Sequence, residues 1–426
     1  MTTTSRSLQR SAELLERAAG LIPAYTQTLS KNPTQWVRGV APAFVTRGSG
    51  AHVWDVDGNR YVDFPMALGP VILGHAHPAV NEAITRQLAD GIVFTLPHPI
   101  ELDVAERIVA RVPGVERVRF GKSGSDATSA AIRLARACTG RDRVLVGGYH
   151  GWHDWFVGTT TRDFGVPAAV KDLTGTFAFG DVPSVSSDVA AVILEPSGAT
   201  EPAPGYLQSV IDAAHDAGAI VVFDEIITGF RLGPGGAQER YGVRADLVTF
   251  GKALGNGMPI SALAGRAELM DRLEDVFFSG THGGETLSLA AARATLDELT
   301  PDAFEALYSK GERLRAAVLA AIESTGVGEW VTIDGAAPRT VVVIREPDPD
   351  ARGLMARSLV QQEMLKRGVL FNGNNFMCLA HSDEDLDQAA AAYEAAFARL
   401  ADGLSAGDIA GLLEGEPVQP AFRAVV

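Results

Sequence analysis

The chain has 426 residues, 46% of them hydrophobic and 21% charged, and a formal net charge of −15. Domains usually run to ~150 residues, so two or three units are expected, and the acidic balance argues against the basic stripe of a nucleic-acid surface. No apolar run reaches the ~20 residues of a membrane span, and the amino terminus lacks the apolar stretch of a signal peptide. The only two cysteines, Cys138 and Cys378, suit a reduced, cytoplasmic protein better than a disulfide framework.

Leucines and alanines at helical spacing predict a helix over residues 7–20. A polar segment from Pro23 to about Val40 follows. The run AFVTRGSGAHVWDVDGNRYVDF then alternates and turns at glycine, with Asp57-Gly58 as a turn pair, which predicts a small meander or hairpin. From about residue 80, helical stretches (VNEAITRQLADG, ELDVAERIVARV) alternate with the short apolar runs RVLVGG, AAVILEP, AIVVFDE and DLVTFGK. Runs that are apolar throughout belong to strands covered on both faces. Their alternation with helices predicts an α/β domain with a large, mostly parallel sheet and helices on both faces. Beyond LSLAAARATLDEL, the strands TVVVIRE and GVLFNG separate further helices, the last being DEDLDQAAAAYEAAFARLADGL. The expected division is a large domain over 80–305 and a smaller α+β domain built from both termini, 1–79 and 306–426.

The predicted strands end on Glu195, Asp224 and Lys252, and parallel sheets collect ligands beyond the carboxyl ends of their strands. Lys252 sits between a buried strand and the glycine-rich ALGNGMP. An apolar setting disfavours its charged form, so the amine can form an imine with an aldehyde; a lysine snorkelling at a strand end is the plainer alternative. Asp224 closes AIVVFDEI, and a carboxylate there needs a partner. A protonated pyridine nitrogen is one, and a core arginine is another. The 28 residues from Asp224 to Lys252 span one crossover, so the two can meet on nearby strands.

Lys122-Ser123-Gly124-Ser125-Asp126 runs into a helix, and small residues at a helix start suit a phosphate; a plain helix cap remains open. The mononucleotide loop is ruled out, because Glu116 stands where its first glycine is required. Tyr149, after RVLVGG, can stack on a pyridine ring, and Ile226 can cover the other face, though either suits a core. His282 has no second ligand at metal-binding spacing, so no metal is expected.

Together SGSDATSAAIRLARACTGRD, YHGWHDW, FDEIITGFR, GGAQERYGVRADLVTFGKALGNGMP and GTHGGETLSLAAA resemble the class III aminotransferases. The branch they resemble holds glutamate-1-semialdehyde 2,1-aminomutase and its aminotransferase relatives. The resemblance implies a fold-type I architecture, pyridoxal 5′-phosphate as cofactor, and a homodimer with shared active sites. It also implies roles: Lys252 as the imine lysine, Asp224 on the pyridine nitrogen, and Ser123, Gly124 and Ser125 on the phosphate. Thr281 would reach the phosphate of the neighbouring subunit, Tyr149 would stack on the ring, and Glu195 would lie near the cofactor.

The chain departs from the aminomutase pattern at AYTQTLSKNPTQW, at Asp126, at Gly-Glu-Thr after Thr281 and at LFNGNNF. These departures favour transfer from a glutamate-type donor to a ketone or aldehyde, such as a sugar, cyclitol or other secondary-metabolite precursor. The aminomutase itself, or an inactive cofactor-binding homologue or regulator, are the alternatives. Trp36, Trp152, His153 and Asn375 are expected around the acceptor, and Arg231 is a candidate for the donor carboxylate.

Overall fold

The computed structural model describes residues 6–348 and 353–420, which divide into two units. One holds the chain up to Leu68, the stretch Gly74–Ala76 and the chain from Ala306 onward; the other holds Gly69–Leu73 and His77–Glu305. The ends of the expected small domain, residues 1–5 and 421–426, lie outside the described residues.

The first helix, α1 (Gln9–Ala19), starts where Asp57 receives it, since the amides of Arg10 and Ser11 donate to that carboxylate at 2.8 and 3.0 Å. Asp57 belongs to the turn that joins two strands of the predicted meander, and Gly58 beside it takes φ +87°. The meander is β1 (Val45–Ser49), β2 (His52–Asp55) and β3 (Arg60–Asp63), paired antiparallel. Between α1 and β1 the polar segment winds through the 3-10 turns Pro23–Tyr25, Leu29–Lys31 and Pro33–Gln35.

The second unit opens with α2 (Pro78–Asp90) and α3 (Pro99–Arg111). It then supplies β4 (Arg117–Gly121), α4 (Gly124–Thr139), β5 (Arg143–Gly147), β6 (Thr174–Thr176) and β7 (Val189–Leu194). The helix α5 (Tyr206–Asp216) leads into β8 (Ile220–Asp224), β9 (Leu247–Phe250) and β10 (Ser261–Gly265), and α6 (Thr286–Glu298) follows. The seven strands order as β4-β10-β9-β8-β7-β5-β6. Only β10 runs antiparallel to its neighbours, so the predicted parallel sheet is present. Every residue of β7, β8 and β9 is buried, which is why those runs carry no polar alternation. Burying each Val, Leu, Ile or Phe there contributes ~1.5–3 kcal/mol relative to exposure.

Sequence patterning missed β4, β6 and β10. Both β4 and β6 are edge strands, and β4 alternates exposed arginine with half-buried apolar residues. In β10 the sequence SALAG lacks the β-branched residues that mark a strand.

The first unit resumes with α7 (Pro301–Thr325), whose early residues still belong to the second unit. It continues through β11 (Val331–Asp334), β12 (Arg339–Ile344), α8 (Met355–Lys366), β13 (Val369–Leu370), β14 (Asn374–Phe376) and α9 (Asp383–Ala406). Strand β13 joins β3 in parallel, while β11, β12 and β14 form a separate three-stranded antiparallel sheet. Both cysteines are free thiols.

Asn375 corrects one expectation. It does not border a pocket: it is fully buried, its Nδ2 donating to Thr340 Oγ1 at 3.3 Å while its Oδ1 accepts from the Tyr393 hydroxyl at 2.8 Å. Its amide satisfies a polar group inside the core between β14 and α9. Asn375→Leu is therefore expected to lower stability by ~1–3 kcal/mol through the orphaned Tyr393 hydroxyl. Adding Tyr393→Phe is expected to recover much of that loss, as read in thermal melts of the single and double variants.

Candidate active site

The site grows from the end of β8. Its apolar run delivers Asp224, only 4% exposed, to the carboxyl edge of the sheet. There the carboxylate is tied on both oxygens. Oδ1 accepts from the backbone N–H of Ile226 at 3.1 Å and from the hydroxyl of Thr249 at 3.3 Å, Thr249 being its register partner on β9. Oδ2 lies 2.8 Å from Nδ1 of His150, and since a carboxylate only accepts, Nδ1 carries the proton. His150 is itself buried, stacked on Trp155 with ring planes 12° apart.

One strand over, β9 ends at Phe250, and Gly251 hands the chain to Lys252. Lys252 takes φ 41°, in the left-handed region that costs a non-glycine residue ~1–2 kcal/mol. Strain of this kind persists where the surroundings fix the backbone. The turn after Lys252 is fixed by Asn256, whose Oδ1 accepts the amides of Ile72 and Leu73, both at 2.9 Å. Ile226 lies between Lys252's neighbour and the phosphate loop. A Cβ on Gly251 would stand 3.1 Å from its Cδ1, and a Cβ on Gly124 would stand 3.3 Å from it.

At the start of α4, Ser123 is the N-cap and forms a reciprocal capping box with Asp126. The amides of Lys122 and Ser123 both donate to Asp126 Oδ2, at 3.1 and 2.7 Å. The helix cap and the expected phosphate loop are thus the same segment, with the labour divided. Asp126 takes the two amides outside the helix, while the first-turn amides of Gly124 and Ser125 have no intrahelical acceptor and suit an anion at the positive end of the dipole.

The loop after β5 is stitched to this helix. Ser125 Oγ accepts from the Trp152 amide at 3.2 Å, and Thr128 Oγ1 donates to the His150 carbonyl at 2.8 Å. Gly151, at φ +108°, is required, because a Cβ there would stand 2.3 Å from Ser125 Oγ. Glu195 Oε1 accepts from the Tyr149 amide at 2.7 Å, so it positions the aromatic through its backbone. Tyr149 stays half exposed, edge-on to Phe156 at 5.3 Å. Its hydroxyl pKa is raised, by burial first and then by the negative charge of Asp224.

This donor set fits pyridoxal phosphate: a buried carboxylate for the ring nitrogen, a lysine for the aldehyde and a helix start for the phosphate. The family model of class-III aminotransferases matches residues 35–331. The chain belongs to that family. Glutamate-1-semialdehyde 2,1-aminomutase 2 of Geobacillus thermodenitrificans is 35% identical, the match covering 93% of this chain and 99% of the relative. Among solved structures, the FumI protein of Sphingopyxis sp. MTA144, in its PLP internal aldimine form, superposes with a TM-score of 0.86 at 28% identity, covering 96% and 99% of the two chains. An omega-transaminase from Sphaerobacter thermophilus gives 0.83 at 28% identity, covering 92% and 98%. The aminotransferase has the fold-type I architecture and uses pyridoxal phosphate.

The remaining predicted residues of the aminotransferase fall in different settings. Trp152 is 69% exposed and stands edge-on to His153 at 4.7 Å. His153 Nδ1 lies 2.6 Å from Ser129 Oγ, which accepts from Trp155 Nε1 at 2.8 Å. Thr281 is exposed and lines a cavity of about 380 Å³ with Lys122, Arg133 and His153. Trp36 belongs to the other unit, partly buried against Val53 and Tyr61. Arg231 is a correction. It is wholly enclosed and its Nη2 donates to the Gly69 carbonyl at 2.6 Å, so it braces the chain at Gly69 and does not present its fork to a donor carboxylate.

Three further functional or supporting residues escaped sequence reasoning. His150 and Thr249 hold Asp224, and the only signals were a histidine following Tyr149 and a threonine inside an apolar strand. Glu285 accounts for the Gly-Glu-Thr departure: it caps α6 through the amides of Leu287 and Ser288 and pairs with Lys122 Nζ at 2.9 Å. Burial opposes its ionisation, but hydrogen bonds from Ser288 and Lys122 outweigh that, and its pKa is lowered.

Glu225, next to Asp224, is fully buried and accepts from the Ala237 and Gln238 amides and from Thr228. Burial pushes its pKa up to about 7 from 4.5. A carboxyl whose folded pKa is raised is held most favourably when protonated, so its contribution to stability is lost as pH rises from its unfolded pKa through its folded one. Melts from pH 4.5 to 8 are expected to show Glu225→Gln gaining on the wild type as pH rises, by on the order of 3 kcal/mol over the window. A constant offset between the two proteins with no pH trend would contradict this.

Proposed function

We propose that this aminotransferase moves the amino group of a glutamate-type amino acid to a small ketone or aldehyde, as in amination of a sugar, cyclitol or other secondary-metabolite precursor. The observation that carries the reading is the pair of adjacent parallel strands of which one ends in Asp224, held on both oxygens, and the other leads two residues on to Lys252. Pyridoxal phosphate, when bound, supplies an aldehyde that condenses with amines and a ring that draws off carbanion charge.

The chain's own residues do the rest. Asp224 holds the proton at the pyridine nitrogen, and His150, Thr249 and the Ile226 amide keep its carboxylate in place. Gly124 and Ser125 bind the phosphate through their amides. Tyr149 and Ile226 bound the ring, and Glu195 sets Tyr149 by its backbone. Lys252 Nζ binds the cofactor at rest and, once a donor displaces it, carries the donor's α-proton. Such placed acid–base groups contribute ~10²–10⁴-fold.

A homodimer is part of the proposal. Leu88, Ile92, Val93, Phe94, Leu96 and Leu102 are all exposed along one run of the second unit, the apolar surface a second copy would cover. Thr281 would serve the neighbouring phosphate from its exposed loop. Two free thiols support a cytoplasmic setting, and no described helix is long and apolar enough to cross a membrane.

A second reading, the aminomutase, is favoured by the name of the 35%-identical relative. One experiment separates the two. With L-glutamate, the holoenzyme is expected to lose its yellow absorbance and release one equivalent of 2-oxo acid, and Lys252→Ala is expected to do neither above ~1% of the wild-type rate. Absence of bleaching with every amino acid tried, together with isomerisation of glutamate-1-semialdehyde supplied alone, would replace the first reading by the second.

A further inference from the structure

Two of the positions at which the chain departs from the aminomutase pattern, Asp126 and Glu285, act on one residue. Asp126 Oδ2 accepts from the backbone amide of Lys122 at 3.1 Å, and Glu285 Oε2 takes the ammonium of the same residue at 2.9 Å. The main chain and the side chain of Lys122 therefore have separate tasks. Its amide is bound up with the capping box at the start of α4, where the cofactor phosphate is expected, and that bond needs no particular side chain. Its ammonium reaches away, to the segment that leads into α6.

That segment is held at both ends by the elements that flank the phosphate loop. At its front, Arg119 on β4 donates from Nη2 to the Phe278 carbonyl at 2.9 Å, and Arg133 on α4 donates from Nη1 to the Phe277 carbonyl at 2.6 Å. The Phe278 ring lies against Gly121, where a Cβ would stand 3.3 Å from its Cζ. At its back, Glu285 meets Lys122. In between, the Gly283 amide donates to the Gly280 carbonyl at 2.9 Å, and the Glu285 amide to the His282 carbonyl at 3.1 Å. Thr281 stands in the middle of this run, exposed.

The ion pair is more than a surface contact. The side chains of Lys122 and Glu285 are 23% and 12% exposed, and a pair withdrawn from water is screened less than one on the surface. Glu285 does not depend on Lys122 alone, because the amides of Leu287 and Ser288 and the Ser288 hydroxyl donate to it at 2.6, 3.2 and 2.6 Å. Removing the lysine side chain therefore leaves α6 capped and loses only the tie to the phosphate loop.

We propose that Lys122 and Glu285 are positioning residues for the cofactor of the neighbouring subunit: their ion pair sets the loop that presents Thr281 to the phosphate across the dimer. This rests on the homodimer of the proposed function, in which Thr281 serves the neighbouring phosphate. Each subunit's phosphate loop then holds its own cofactor through backbone amides and, through one lysine side chain, steadies the grip on the other cofactor.

The test follows release of pyridoxal phosphate from diluted holoenzyme by the loss of its visible absorbance. Lys122→Met is expected to speed release about tenfold, the scale of one hydrogen bond to a charged group. Lys122→Arg, which keeps the charge, is expected to stay within roughly threefold of wild type. Thr281→Ala is expected to speed release by a similar factor to Lys122→Met. Adding Lys122→Met to Thr281→Ala is expected to change the rate by less than about twofold more, because the lysine acts through that loop.

Hybrid dimers locate the effect. A subunit carrying Lys252→Ala loses the absorbance that depends on this lysine, so only the other subunit reports. Lys122→Met placed in the same subunit as Lys252→Ala is expected to speed release from the reporting subunit. Placed in the reporting subunit itself, it is expected to leave the wild-type rate. Faster release in the second arrangement overturns the inference, as does an unchanged rate in the Lys122→Met homodimer or full additivity with Thr281→Ala. If Thr281→Ala speeds release and Lys122→Met does not, the positioning role alone falls. If Thr281→Ala changes nothing, the contact across the dimer falls and takes the inference with it.

Discussion

The geometry of the second unit depends on keeping one carboxylate in a place where water does not reach it. Asp224 is 4% exposed at the end of a strand buried along its length. An unpaired charge there would cost several kcal/mol, so the surrounding elements are arranged to receive it. A histidine from the loop after β5 takes one oxygen. A threonine on the neighbouring strand and the next turn's amide take the other. Each of those partners also fixes a second part of the site. The His150 carbonyl is held by α4, the Ile226 side chain fills the space that Gly124 and Gly251 leave, and the chain passes from Thr249 through the end of β9 at Phe250 to Lys252. The carboxylate, the lysine and the start of α4 are therefore joined through one set of contacts.

Glycines at the site act by absence. Gly151 admits Ser125 Oγ, and Gly148, at φ +111°, admits the Glu195 carboxylate that holds Tyr149. A side chain at Gly151 would push the loop after β5 off α4, and one at Gly148 would displace the Glu195 carboxylate. The same logic explains why the segment reads as YHGWHDW, with small and large residues side by side: the glycine makes the contact and the aromatics fill the space around it.

Much of this was legible in the sequence. The buried positions of β5, β7, β8 and β9 are apolar or glycine apart from Thr249 and Asp224, and the polar Glu195, Asp224 and Lys252 come at or just past the ends of β7, β8 and β9. What stayed hidden depends on distances across the chain. His150 and Thr249 come to Asp224 from 74 and 25 residues away, and no local pattern marks either as its partner. Arg231 and Asn375 have side chains that suit substrate binding, and sequence gives no measure of burial. The structure encloses both and uses them to satisfy the Gly69 carbonyl and the Tyr393 hydroxyl. The edge strand β4 was missed because its arginines break the apolar run, although it leads straight into the phosphate loop.

The claim on which the account rests is that Asp224 keeps a proton on the pyridine nitrogen of the bound cofactor. The direct measurement is the ¹⁵N chemical shift of pyridoxal phosphate labelled at the ring nitrogen, recorded in the resting wild-type enzyme and in Asp224→Asn across neutral to mildly basic pH. A protonated nitrogen in the wild type that becomes unprotonated in the variant is the predicted result. An unprotonated nitrogen in the wild type, or the same shift in both proteins, would contradict it.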